Sequence, residues 1–217
     1  MEPIRATITA VGHFLPEDKL TNFDLEKMVE TNDEWIRTRT GIEERRILKD
    51  PEKATSYMAA EAAKEALEEA DVQPDEVDLI IVATVTPDYI FPSTACLVQD
   101  AIGAKNAFAF DLSAACSGFI YALTNGAAFI ESGRYKKVLV IGADKMSSII
   151  DYTDRTTCII FGDGAGAVLL EASTDGTGII DSIHYTEGDT YCHLVQKGGG
   201  SRYPASHETV DQHMHFI

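Results

Sequence analysis

Cys116 ends a run of small residues, Ser113-Ala114-Ala115, and opens onto Ser117-Gly118-Phe119-Ile120-Tyr121-Ala122-Leu123. The pattern places a thiol where an apolar strand stops and a glycine-containing helix starts. Unpaired N–H groups and the positive end of the macrodipole at such a point favour thiolate. Thiolate is the nucleophilic form of cysteine and suits acyl transfer. The small neighbours let substrate and backbone approach closely. A buried, inert core position is the ordinary alternative for a cysteine, and the helix-end setting argues against it. Trp35, the one tryptophan of the chain, stands four residues before Arg39. On a helix the two share a face, so indole and guanidinium can meet the same flat aromatic ligand. A tryptophan docked on the core beside a surface arginine is the plainer alternative.

Other groups carry less. Gly162-Asp163-Gly164-Ala165-Gly166-Ala167 looks like a dinucleotide fingerprint, but Val168-Leu169-Leu170 behind it is a strand run. Dinucleotide binding needs a helix N-terminus at that point, so tight glycine packing between strands is the better reading. His213 and His215 would share one face of a strand. They have no third ligand nearby, and no metal is expected. The other histidines, His13, His184, His193 and His207, read as exposed. Cys96 and Cys158 read as core and Cys192 as a loop thiol.

The formal charge of −17 argues against nucleic acid and anionic membrane surfaces as partners. An apolar fraction of 45% over 217 residues is enough for a substantial core. No run approaches the roughly 18 apolar residues of a membrane span, and Met1-Glu2-Pro3-Ile4-Arg5 has no secretory pattern. Four cysteines without paired spacing imply reduced thiols and a cytoplasmic setting.

The elements that must hold these groups follow from periodicity. Residues 4–11 read as a strand closed by Gly12. Helices are expected over 21–28, from a cap at Thr31 or Asp33 through Trp35, and over 55–70. Residues 77–85 form a β-branched run fitting a strand buried on both faces. A helix from Ser93 or Thr94 to Ile102, a strand over 107–112, a helix over 117–132 and a buried strand over 138–143 follow. Residues 157–161 and 165–171 read as two strands around a glycine turn. Alternating strands and helices imply an α/β domain. Ser173-Thr174-Asp175-Gly176-Thr177-Gly178 is a composition break, followed by a strand over 178–185, a polar loop without a helix, and strand-like residues 214–217.

The string Thr31-Asn32-Asp33-Glu34-Trp35-Ile36-Arg37-Thr38-Arg39-Thr40-Gly41-Ile42 resembles the N-terminal signature of 3-oxoacyl-[acyl-carrier-protein] synthase III. The Cys116 block, Phe91-Pro92-Ser93, Asp154-Arg155 and the Phe161–Ala167 glycines resemble that family in order and spacing. The resemblance implies a thiolase-like layered α/β fold made of two halves. Residues 1–172 would be the half bearing the nucleophile, and 173–217 the opening strands and loop of the second.

It also implies a reaction: a short acyl group, such as acetyl, passes from acyl-CoA to Cys116 and condenses with malonyl-acyl carrier protein by loss of carbon dioxide. By the same resemblance Thr31, Trp35, Arg39 and Arg155 hold coenzyme A, a substrate and not a resident cofactor. Phe91 would reach across a homodimer to close the partner's acyl pocket. The carrier protein is itself acidic, so docking it needs a basic patch, for which Arg37, Arg39, Arg45 and Arg46 are candidates. The family's catalytic His and Asn fall beyond residue 217. One alternative is therefore a catalytically incomplete fragment, or one piece of a nicked enzyme with a companion C-terminal polypeptide. A 3-hydroxy-3-methylglutaryl-CoA or polyketide-type synthase is another, against which the Trp35–Arg39 string argues.

Overall fold

The computed structural model describes residues 4–188 and 194–217; Cys192 and His193 lie outside them. The elements in chain order are β1 (Arg5–Phe14), β2 (Lys19–Thr21), α1 (Asn22–Leu25), α2 (Asp33–Thr40), β3 (Glu44–Arg46), α3 (Thr55–Glu69) and β4 (Leu79–Ala83). After them come α4 (Thr94–Ile102), β5 (Phe108–Leu112), α5 (Gly118–Glu131), β6 (Lys137–Lys145), β7 (Asp163–Ser173) and α6 (His207–Asp211). They divide into two units. The first gathers the chain up to Pro16, Leu48–Asp144 and Gly164–Ser182; the second gathers Glu17–Ile47, Lys145–Asp163 and the chain from Ile183 on.

The first unit is a five-stranded sheet in the order β1-β7-β6-β4-β5. β4 runs parallel to both β5 and β6, and β1 runs antiparallel to β7. Every residue of β4 is buried, which explains a run without polar alternation: a central parallel strand is covered on both faces. Ile80 and Val82 join Met58, Ala62 and Ala66 of α3 and Val98 of α4 in one cluster. Leu79, Ile81 and Ala83 join Ala122, Ala127 and Ile130 of α5 in the other. The period of two thus sends alternate side chains to helices on opposite faces. Two glycines set the spacing of these layers. A Cβ on Gly12 would stand 2.5 Å from the Ala66 nitrogen and closer still to the Ala62 oxygen. One on Gly126 would meet Leu170 at 2.9 Å.

The second unit packs Leu25, Ile36, Ile150, Cys158 and Ile159 into its own core, with Trp35 half-buried against them. A short antiparallel pair, β2 with β3, lies in this unit; its three-residue strands are too brief and polar to read from sequence.

Several expectations are corrected here. The helix bearing Trp35 is capped by Asn32, whose side-chain oxygen accepts from the Trp35 N–H at 2.8 Å, and not by Thr31 or Asp33. The helix expected over 21–28 is the single turn α1. Residues 157–161 form turns rather than a strand. Asp154 redirects this β-branched run, since its side chain binds Thr156 N–H and Oγ1 and its carbonyl accepts from Thr157 and Cys158. Residues 178–185 make no strand. Ile179 N–H reaches Ala6 O at 2.8 Å, but Gly178, at φ +133°, turns the chain before a ladder can grow. The tail does contain a helix, α6, started by Ser206, whose hydroxyl accepts from the Thr209 N–H. Residues 214–217 are not a strand: Met214 and Phe216 donate back to Thr209 and His213.

Candidate active site

β5 ends at Leu112 and α5 begins at Gly118; Cys116 lies in the 3-10 turn Ala115–Ser117 between them. Cys116 is exposed. Two backbone bonds tie the turn, Ser117 N–H to Ala114 O at 3.1 Å and Gly118 N–H to Ala115 O. Ala115 holds φ +44°, a left-handed conformation that an L-residue adopts at a cost of about 1–2 kcal/mol. This bend aims the next residue away from the line of the strand. Gly118 lets α5 start against the strand ends, since a Cβ there would stand 3.2 Å from that of Ala83. Ser117, the residue before α5, makes no side-chain capping bond. The cysteine therefore sits beyond the carboxyl ends of parallel strands and ahead of a helix, where open α/β sheets bind ligands.

Two buried-end carboxylates that sequence reading missed brace this region. Asp144 accepts from Thr84 Oγ1 at 3.0 Å, Val85 N–H at 2.9 Å and Thr86 N–H at 3.1 Å, tying the end of β4 to that of β6. Asp111 on β5 accepts from the Thr94 and Ala95 N–H groups, both at 2.7 Å, and so holds the start of α4. An Asp inside or ending an apolar strand is the signal that marks both.

Phe91 lies in the same unit, 84% exposed beside Ile90 at 84% and Tyr89 at 61%. The loop is pinned on each side of this apolar tip. Asp88 accepts from Ser56 N–H and Oγ, and Ser93 caps α4.

Thr31, Trp35, Arg39 and Arg155 all belong to the second unit. The Arg39 guanidinium carbon lies 4.4 Å from the Trp35 ring centroid and that of Arg155 lies 5.4 Å from it. Arg155 is steadied by a 2.8 Å bond from Nη1 to Glu30 O. The Thr31 hydroxyl is buried and, among the described residues, has no hydrogen-bond partner. Two cations and an indole together can meet a flat ring bearing negative charge.

Of the proposed basic docking patch, Arg45 is corrected. Arg45 is only 4% exposed and donates to Asn22 Oδ1 and Ile159 O. Arg37 pairs with Asp33 and Glu43, and Arg46 with Glu44. Of the four arginines, Arg39 alone lies against the Trp35 ring. The glycine run 162–167 leads into β7, so no helix N-terminus stands behind it. His213 Nδ1 lies 3.1 Å from Asp151 Oδ2, and the His215 ring packs on Phe216 with centroids 4.0 Å apart. Among the described residues no three His, Cys, Asp or Glu side chains gather as a metal requires. Cys158 is buried as expected, whereas Cys96 is exposed, its sulfur 3.1 Å from Ser93 Oγ.

Among the described residues no helix is long and apolar enough to cross a membrane. A family profile described as 3-oxoacyl-[acyl-carrier-protein (ACP)] synthase III matches residues 110–188, a span that includes Cys116. A beta-ketoacyl-[acyl-carrier-protein] synthase III of Chlorobium phaeovibrioides is 63% identical over 99% of this chain and 66% of its own. One from Chlorobaculum tepidum gives the same identity and coverage. The chain thus spans about two thirds of the length of these curated relatives. The crystal structure of 3-oxoacyl-[acyl-carrier-protein] synthase III from Aquifex aeolicus superposes with a TM-score of 0.76 at 60% identity, covering 78% of this chain and 55% of that one. With the layered α/β sheet, the strand–Cys116–helix turn and this similarity along nearly its whole length, the chain belongs to the 3-oxoacyl-[acyl-carrier-protein] synthase III family.

Proposed function

We propose that the protein starts fatty-acid chains by loading a short acyl group from acyl-CoA onto Cys116 and condensing it with malonyl-acyl carrier protein. The reading rests on one observation above others: an exposed cysteine in a strained turn between β5 and α5, inside the stretch matched by the family profile. The thiolate adds to the thioester carbonyl; the carbon–sulfur bond to coenzyme A then breaks and the thiol of coenzyme A departs. Malonyl-carrier protein loses carbon dioxide, its α-carbon attacks the acyl-Cys116 carbonyl, and the cysteine sulfur leaves as 3-oxoacyl-carrier protein forms.

Trp35, Arg39 and Arg155 would clasp the adenine and phosphates of the coenzyme, with Thr31 at the rim of that pocket. Both guanidiniums lie against the indole, so an entering base would take the place of one of them. Phe91, at the tip of its pinned loop, would close the acyl pocket of a second subunit in a homodimer. Residues 1–172 would form the half carrying the nucleophile and 173–217 the opening of the next, in keeping with the greater length of the relatives.

Incubation with radiolabelled acetyl-CoA tests the reading. Label stable to denaturation is expected on the wild type and on Cys96→Ala and absent from Cys116→Ala. Label retained by Cys116→Ala overturns the nucleophile.

A further inference from the structure

Arg45 is a cation placed where a cation is costly. It is 4% exposed in the core of the second unit, and among the described residues no carboxylate pairs with it. Its Nε donates to Ile159 O at 2.9 Å, Nη2 donates to the same carbonyl, and Nη1 donates to Asn22 Oδ1 at 2.5 Å. Asn22, 0% exposed, gives away both amide hydrogens, to Asp33 Oδ1 and to Ile42 O, each at 2.8 Å. The donors and the acceptor of the Asn22 side chain are therefore all engaged.

The ends of this network decide what it does. Asp33 is the first residue of α2 and Ile42 follows its Gly41 C-cap, so Asn22 grips the helix of Trp35 and Arg39 at both ends. Ile159 belongs to the turns that carry Arg155 and that Asp154 closes through Cys158 N–H at 3.1 Å. A line of bonds thus joins the two segments whose side chains meet at the Trp35 ring. Apolar side chains of equal volume would serve stability as well as or better than a buried guanidinium. What they would lose is a fixed distance between those segments, because hydrogen bonds are directional and dispersion contacts are not.

We propose that Asn22 and Arg45 are positioning residues: a buried relay that sets the spacing of α2 against the Arg155 turn and so holds the Trp35–Arg39–Arg155 cluster ready for a flat anionic ligand. The ligand named in the test, coenzyme A, rests on the function proposed above; the effect on Trp35 itself does not.

Trp35 is the one tryptophan of the chain, so intrinsic fluorescence reports the cluster directly. Arg45→Lys keeps the cation but not the fork that spans Ile159 and Asn22; Asn22→Ala cuts the grip on α2. Ile130→Ala lowers stability from the core of the first unit, in which neither the relay nor Trp35 takes part. Each full-length variant is compared with the wild type for melting temperature, Trp35 emission and acrylamide quenching, and coenzyme A affinity by calorimetry. Both relay variants are expected to shift the emission and quenching and to weaken coenzyme A about tenfold. Ile130→Ala is expected to melt earlier with Trp35 and affinity unchanged. The proposal is overturned if Arg45→Lys, folded, leaves Trp35 and the affinity as in the wild type, or if Ile130→Ala moves them equally. Trp35 moving in the relay variants while the wild type ignores coenzyme A supports the relay and rejects the ligand.

Discussion

Two side chains in the second unit, Tyr152 and Cys158, are shifted first by burial. Tyr152 is pushed up to about 12, first by burial, then by the nearby charges of Asp163 and the Cys158 thiol. Burial also pushes the Cys158 thiol up, against the pull of Arg45. For Tyr152 the folded state holds its proton more tightly than the unfolded chain, whose phenol ionises near about 10. That contribution to stability is whole below about 10 and fades as pH climbs toward about 12. Urea midpoints measured across this alkaline window should fall for the wild type and fall less for Tyr152→Phe; equal slopes would remove Tyr152 from the account. The turn that carries Cys116 was legible in the sequence, because small residues around a cysteine between strand and helix patterns are unusual. Arg45 and Asn22 were not. A basic residue in the string Glu43-Glu44-Arg45-Arg46 looks like surface, and only the fold shows that it turns inward.

Elements were readable where packing and local propensity agreed. α3, α4 and the strands β4 to β6 lie within a residue or two of their expected bounds, since apolar runs and caps such as Ser93 act locally. Reading failed where hydrogen bonds from side chains overrode the pattern. Asp154 folded a Thr- and Ile-rich run into turns, and Ser206 started a helix inside a polar tail. Gly12 shows the limit from the other side: it looked like the end of β1, but the strand continues through it to Phe14. It is glycine because α3 lies against it backbone to backbone. Gly12→Ala must push α3 away from β1 and should destabilise the protein by about 1–3 kcal/mol, read as a lower urea midpoint. An unchanged midpoint would mean that this contact is looser than described.

For the whole molecule, charge governs encounter. The chain carries −17, Arg45 of the arginines first read as a docking patch is buried, and the proposed carrier partner is acidic. Repulsion is screened over a Debye length, which shrinks from about 30 Å at 0.01 M to about 8 Å at 0.15 M salt. Association with malonyl-carrier protein should accordingly quicken over that range in stopped-flow measurements; slowing would reveal a basic docking face that outweighs the net charge. The central claim is narrower, that Cys116 is the acyl acceptor. Its most direct test is denaturing intact-mass spectrometry with peptide mapping after brief exposure to acetyl-CoA. One acetyl group, on the peptide that contains Cys116, is the predicted result. An acetyl group on Cys96 or Cys158 instead, or none on a folded protein that binds coenzyme A, would contradict it.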